Sequence, residues 1–582
     1  VAALVVTSLY TALSLFCWRH LLAAGLATHM YDLNLGDVGQ RVWFMGWLPF
    51  AIGHHTNPLV SSYMFAPHGF NLLANASVLL QAFLLAPVTV IWSPVASFNV
   101  ACIAAPVVSA LSLYYVLRRY DMHRSVAFVG GLAYGFSPAL LRPDQIGDLN
   151  LSWMFFPPLA AYLVDRIFFR QTGSPTRWGV AVGLLVVAQF FSGQEVLLDC
   201  VVVVVPVLVV AVVANPRQIA SHLSFAAKGT ATASVTAGLL LAYPLRVYFA
   251  GPGHVPSVNS SVSTGAAVSS SVWPSTMTGS GYLQPKPGTS LLHLFDTAFI
   301  GPVVVVLALA ALAFARRHRV ILLLWAAALW CLVLSWGGAF RWTGSTASVA
   351  FHSPARVLSS AVPILRNIDW DRISILTDLL LVMLAAITLE KGVATLLASG
   401  GRWRTWAAAA VAVVAAAMMT VPLLVASYAP FAPFESVSVP SAVRLLAPTD
   451  GGSPPVAVVF PASSPWSGSP LAWQAMAGFP YRDAQGYAWH PKSGSHRATV
   501  DPPGALFYLT ADAPTFPKGT VLTAAQRDGI KSALVKNQVT EAVVIDGYAG
   551  SAPLTNIYDQ VLGPGVHRGD GEFWEVRPGS TS

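Results

Sequence analysis

Charge is what this sequence lacks most. Only 10% of its 582 residues are Asp, Glu, Lys or Arg, against about 25% in an ordinary soluble domain. Hydrophobic residues make up 55%, and mean hydropathy is +0.61. These values exclude a soluble enzyme and a disordered chain and point to a polytopic membrane protein. Cysteine is scarce as well. Cys17, Cys102, Cys200 and Cys331 all lie in apolar runs, and residues 429–582 hold none. That leaves no disulfide framework and no Cys-based zinc spacing. No GxxxxGK[ST] phosphate loop occurs, which excludes an ATP-driven transporter built on this chain.

The charge that is present is unevenly placed. Residues 1–428 carry 23 Lys+Arg against 13 Asp+Glu, and residues 429–582 carry 10 against 12. The basic excess therefore belongs to the apolar part. It lies in short loops between spans, which reads as membrane topology and gives no nucleic-acid partner.

A span needs about 20 apolar residues. Eleven candidates follow: 2–25, 96–117, 124–141, 150–167, 178–193, 196–213, 229–248, 298–315, 319–338, 373–392 and 405–427. The run 1–25 is too long for the apolar core of a cleaved signal peptide and reads as the first span. Five short loops carry cations: Arg118, Arg119 and Arg124; Arg166, Arg170 and Arg177; Arg217 and Lys228; Arg316, Arg317 and Arg319; Lys391, Arg402 and Arg404. The positive-inside rule puts these loops in the cytoplasm. Segment 26–95 is then external, so the apolar run 77–93 does not cross. Its length as a helix is about 25 Å, short of the ~30 Å hydrocarbon core, and Pro87 interrupts it. It reads as a re-entrant or membrane-surface helix. The remaining external segments are 142–149, 249–297, 339–372 and 429–582.

Function should face outside, where the long loops are. Residues 37–52 pattern as a helix lying on the membrane, with Asp37 as N-cap and Trp43, Trp47 and Phe50 as an interfacial stripe. Asp144 and Asp148 lie in the short loop 142–149. Glu195 sits at the outer mouth of a helix pair. Loop 249–297 is rich in Ser, Gly, Thr and Pro and carries Trp273, Tyr282 and Lys286. Arg366, Trp370 and Arg372 precede a span in LRNIDWDR. Carboxylates beside arginines and aromatics suit transfer of a lipid-linked sugar. Arg or Lys holds a phosphate, Trp or Tyr stacks on a sugar ring, and a carboxylate takes a proton from an attacking hydroxyl.

This arrangement resembles the C-type (GT-C) superfamily of membrane glycosyltransferases over roughly residues 1–427. Asp37 in LGDVGQ matches an acidic residue soon after the first span, and Asp144 or Asp148 matches a second acidic site after the third. The segments NPLVSSYMFAPHGFNLLANAS, GFSPALL and LRNIDWDR are similar to actinobacterial multi-spanning members. The resemblance implies an α-helical polytopic fold of about 11 transmembrane helices with external surface helices, a polyprenyl-phosphate sugar donor and an inverting transfer. It implies Asp37 as general base, and Arg366, Arg372 and Lys286 on the donor phosphate. Asp144, Asp148 or Glu195 would orient the acceptor or bind a divalent cation, magnesium or manganese. Trp370, His54 and Tyr282 complete the expected substrate contacts. The adjacent acidic pair of the family pattern is missing, since Asp32 is the nearest companion of Asp37.

Each residue also has a plainer reading. Asp37, Asp144 and Asp148 suit helix caps or turns, Arg366 and Arg372 suit lipid headgroups, and His54-His55 suits a polar stop to the surface helix. A lipid-linked sugar flippase or other secondary transporter is the competing function, and a membrane scaffold the third.

The domain boundary falls at 428/429, where Pro, Gly and Asp become frequent. Residues 429–582 read as an extracytoplasmic α/β domain, with strands at Val456–Pro461, Glu541–Asp546 and Phe573–Arg577 and helices at Leu471–Gly478 and Thr523–Lys536, the last capped by Thr523. Its aromatics, among them Trp466, Trp473, Tyr481, Tyr487 and Trp489, serve either glycan stacking or packing.

Overall fold

The structure is a computed structural model. It describes residues 2–31, 36–214, 216–255, 265–266, 268, 300–314, 319–340, 353–398, 434–448, 452–464, 467–491, 498–499, 506, 509–510, 512–517 and 519–577. Three described helices are long and apolar enough to cross a membrane: Pro94–Arg119, Leu223–Ala250 and Trp370–Thr395. Shorter apolar helices occupy Ala2–Cys17, Pro302–Phe314 and Arg319–Ser335. The expected span 405–427 lies outside the described residues.

The expected span 2–25 forms Ala2–Cys17 and Arg19–Ala24, and two further expected spans are broken at prolines. The run 124–141 forms two helices, Arg124–Gly135 and Pro138–Gln145, because Pro138 opens a new helix at its first position. The run 150–167 is split between Leu149–Ser152 and a helix starting at Phe156, with Pro157 and Pro158 in its first turn. The run 77–93 forms two helices of six residues each, Leu79–Leu84 and Ala86–Ile91. Each is about 9 Å long, far below a membrane crossing.

The chain divides into two compact units. One comprises Val1–Leu22, Ala101–Leu241 and Asn259–Ala432; the other comprises Ala23–Val100, Ala242–Val258 and Pro433–Ser582. The expected cut at 428/429 is therefore joined by further crossings, and the first long loop groups with the C-terminal segment.

The first unit is a helical bundle built around Ser374–Ala398. The helices Pro302–Ala311, Arg319–Ser335 and Arg124–Gly135 pack against it. Leu379, Val382 and Ala386 of the central helix are buried with Val304, Ala308, Cys331 and Ala127. Small residues permit close helix approach: a Cβ on Gly135 would strike the Pro106 carbonyl and Ala110. The Ala2–Cys17 helix is anchored by Tyr10, whose hydroxyl donates to the Phe128 carbonyl (2.7 Å), and by Ser14, which donates to the Ile103 carbonyl (2.6 Å).

The second unit is mixed. A five-stranded sheet runs in the order Val566–Arg568, Gly571–Glu575, Glu541–Ile545, Val456–Phe460 and Arg482–Asp483. The last three strands are parallel and the first two antiparallel. The central strands read as continuous apolar runs because both faces are covered; Val456–Phe460 is buried at every position. The helices Ala524–Lys536 and Ser551–Leu562 contribute Leu534, Leu554 and Ile557 to this core. Thr523 caps the first of them in a complete capping box with Gln526.

The first loop is folded into this unit. His29–Tyr31 pairs antiparallel with Phe434–Ser436. The expected surface helix forms at Gly36–Gly53 and packs on Ser469–Met476. Gly39 makes that approach possible, since any Cβ there would collide with the Gly468 carbonyl. Trp43 and Trp47 are consequently buried, at 0% and 2% exposure. They are protein core, which corrects their expected place at the lipid interface. Trp43 Nε1 donates to Gln474 Oε1 (2.6 Å), and the Trp43 ring meets Phe479 edge-on at 5.3 Å.

Candidate functional site

In the first unit the structure brings together two residues that the sequence singled out separately. Glu195 opens the helix Glu195–Ala214. Its carboxylate accepts the Asp369 backbone N–H (2.9 Å) and pairs with the Arg372 guanidinium. Arg372 also pairs with the Asp369 carboxylate at 3.1 Å, three residues back along the chain. The Glu195 side chain is 16% exposed and that of Arg372 is 29%. The helix start is thus locked to the segment before the Ser374–Ala398 helix by an arginine shared between two carboxylates. Asp148, which precedes the helix Leu149–Ser152, adds negative charge around the same arginine. Asp199, one turn beyond Glu195, is buried at 2% exposure and lies in the same electrostatic cluster.

Sequence reasoning missed Asp369 and Asp199 as members. Both left a signal: Asp369 is three residues from Arg372, the spacing of a local ion pair, and Asp199 is an acid inside an apolar run.

The other first-unit candidates are placed differently. Asp144 lies in the helix Pro138–Gln145 rather than in a loop, and is 1% exposed. Neither carboxylate oxygen completes a hydrogen bond of ordinary geometry. Burial pushes this carboxyl well above the usual carboxylate range, with the Trp18 indole acting against it. Trp370 is fully buried in the bundle core, so its ring presents no free face to a sugar. Arg366 is exposed, with Nε donating to the Ser359 carbonyl (3.1 Å). Lys286 and Tyr282 lie outside the described residues, as do Trp273, Trp466 and Asp32.

Asp37 belongs to the second unit. It stands in the first turn of the Gly36–Gly53 helix, one residue inside its start, and its side chain is exposed. The Tyr487 hydroxyl donates to Asp37 Oδ1 at 3.4 Å. Gln40, one turn on, donates to the Tyr487 carbonyl (2.7 Å) and accepts from Arg41. Tyr487 is thereby held over the start of the helix. The sequence shows no sign of this pairing, because 450 residues separate the partners. His54, at the far end of the helix, is exposed, stacks on Phe50 with ring centres 4.1 Å apart, and has Nδ1 2.9 Å from the Phe50 carbonyl.

An exposed carboxylate can accept a proton from a substrate hydroxyl. Asp37 meets that access requirement, whereas Asp144 is enclosed and Glu195 is engaged with Arg372. Among the described residues, no three His, Cys, Asp or Glu side chains converge as metal ligands.

The chain is similar to the solved structure of the arabinofuranosyltransferase AftD from Mycobacteria, with a TM-score of 0.53 and 16% identity. The likeness covers 99% of this chain and 40% of that one. This chain thus spans well under half of AftD's length. The archaeal oligosaccharyltransferase AglB from Archaeoglobus fulgidus, solved with an inhibitory peptide and a dolichol-phosphate, gives a TM-score of 0.48 at 12% identity. That match covers 93% of this chain and 69% of AglB. No protein-family model matches the sequence, and no curated protein matches it.

Proposed function

We propose that this chain is a membrane glycosyltransferase. It moves a hexosyl or pentosyl group from a polyprenyl-phosphate donor to a cell-envelope glycan or glycolipid on the outer face of a bacterial cytoplasmic membrane. The observation that carries the reading is the AftD-like fold over 99% of the chain. The exposed Asp37, at the start of the first long helix after the N-terminal apolar segment, supports it.

In this reading Asp37 takes the proton of the acceptor hydroxyl. The freed oxygen attacks the anomeric carbon from the face opposite the phosphate. The anomeric C–O bond breaks, its electron pair leaves with the polyprenyl phosphate, and the configuration inverts. Arg366 and Lys286 hold the departing phosphate. Arg372, tied to Glu195 and Asp369, positions the segment that carries Arg366. Asp148 orients the acceptor. Tyr282 and His54 contact substrate, and the 429–582 region stands outside the membrane.

The test is turnover of radiolabelled polyprenyl-phosphate sugars of the mannose, arabinose, glucose and galactose types, with envelope acceptors and the purified protein. Asp37→Asn should lower transfer by about 10²–10⁴-fold, the usual contribution of a general base, with the fold intact. Undiminished transfer would remove Asp37 from the role. Donor movement across liposomes with no transfer would replace the enzyme by a flippase.

A further inference from the structure

Within the second unit, the helices Gly36–Gly53, Ala86–Ile91 and Ser469–Met476 border a cleft of about 470 Å3, inside the ~300–1,000 Å3 range of small-ligand sites. Phe50, Trp92, Pro94, Ala475, Met476 and Phe479 line it. The hydroxyls in its wall are already used. Thr89 pairs with Ser97 (2.7 Å) and donates to the Leu85 carbonyl (3.3 Å). Ser93 Oγ accepts the Ala96 N–H (3.0 Å) and donates to the Ala27 carbonyl (3.4 Å). Thr28 Oγ1 lies 3.0 Å from His29 Nδ1, and the remaining lining side chains are hydrocarbon, thioether or aromatic.

Connectivity gives the cleft its level. Trp92 and Ser93 lead directly into Pro94–Arg119, one of the helices able to cross a membrane. The stretch beside the cleft is apolar and uncovered: Phe83, Leu84, Val90, Ile91 and Trp92 are 53–75% exposed. Residues 77–93 contain no charge at all. In water such a patch would be an association hazard, whereas at a bilayer surface lipid covers it. Tryptophan is the residue enriched at that boundary.

We propose that this cleft holds one acyl chain of a phospholipid from the surrounding bilayer, with Trp92 at its mouth. The site is separate from Asp37 chemistry and does not depend on the glycosyltransferase reading. It would seat the Gly36–Gly53 helix and its partner Ser469–Met476 on the membrane through a bound lipid.

The experiment uses the full chain in vesicles of phosphatidylethanolamine and phosphatidylglycerol, doped with phosphatidylglycerol bearing a diazirine midway along one acyl chain. Photolysis and peptide mass spectrometry read the adducts. Adducts are expected at Phe50, Met476 or Phe479, in addition to those at Val90 and Ile91 from ordinary bilayer contact. Met476→Trp fills the cleft and should remove the first set while keeping the second. Ala27 also lines the cleft, and Ala27→Phe should do the same, so one misfolded variant does not spoil the test. Absence of the first set in the unmodified protein would overturn the proposal. So would its persistence in both variants, or its displacement by soluble glycan and not by excess unlabelled phosphatidylglycerol.

Discussion

Trp43→Phe separates the two places this ring could occupy. At a lipid interface the exchange of one aromatic for another costs little, within about 0.5 kcal/mol for a surface site. In the structure, Trp43 is wholly buried and its indole N–H is 2.6 Å from Gln474 Oε1. The Gln474 amide NH2 is committed to the carbonyls of Tyr63 and Tyr481, each at 2.9 Å, so the side chain cannot turn to seek another donor. Phenylalanine would leave Oε1 buried and unpaired, at about 1–3 kcal/mol. Trp43→Ala adds a cavity and raises the cost to about 3–5 kcal/mol. The assay is amide hydrogen exchange across Ser469–Met476 in detergent or nanodiscs, with the melting temperature beside it. One to two kcal/mol should speed exchange there by about 5–30-fold. Unchanged exchange and melting in Trp43→Phe would refute the buried placement and return the ring to the lipid.

Arg372→Ala should destabilise the helical bundle, because Glu195 would be left largely buried without its cation. Removing one partner of a buried pair costs about 3–5 kcal/mol, and the 29% exposure of Arg372 puts the expectation at the low end; an unchanged melting temperature would argue against the shared arginine. Asp483 gives a pH signature. Burial raises its carboxyl from 3.8 to about 7, with the Gln485 N–H acting against the shift. A raised folded-state pKa means that stability is greatest below pH 4 for this group and is lost as pH rises toward 7. The second unit should therefore melt at a higher temperature at pH 5 than at pH 8 by this contribution. Asp483→Asn keeps an acceptor for Gln485 and should flatten the difference; a profile identical to that of the unmodified protein would sink the assignment.

Local features were legible in the sequence. The Thr523 cap, the Ala524–Lys536 helix and the strand Glu541–Ile545 form where pattern and capping chemistry put them. The split of 77–93 near Pro87 was legible for the same reason. What failed was the distinction between kinds of apolar cover. Trp43 and Trp47 form a helical stripe that looks the same whether lipid or protein lies over it, and the cover comes from Gln474, 431 residues further along. The breaks at Pro138 and Pro157 were underweighted against hydropathy, which averages over them. For the site, residue types were readable but their company was not. Glu195 and Arg372 stood out individually as charges in apolar surroundings, yet their pairing spans 177 residues. Asp37 and Tyr487 left no periodic trace of contact.

The ladder between His29–Tyr31 and Phe434–Ser436 sets an order of events during synthesis. The Gly36–Gly53 helix is made early, but Gln474 and Phe479, which bury its tryptophans, emerge only after the bundle. At ~5–20 residues per second, that interval is roughly 20–90 s. Throughout it the nascent loop carries an aromatic face covered only by its own Tyr63 and Phe70, and the bilayer beside the adjoining apolar segments is its nearest shelter. A ribosome that stalls between residues 53 and 470 leaves a product whose first loop has no partner to fold with, and one expressed from residue 429 onward lacks the helix that its Ser469–Met476 segment was shaped to meet.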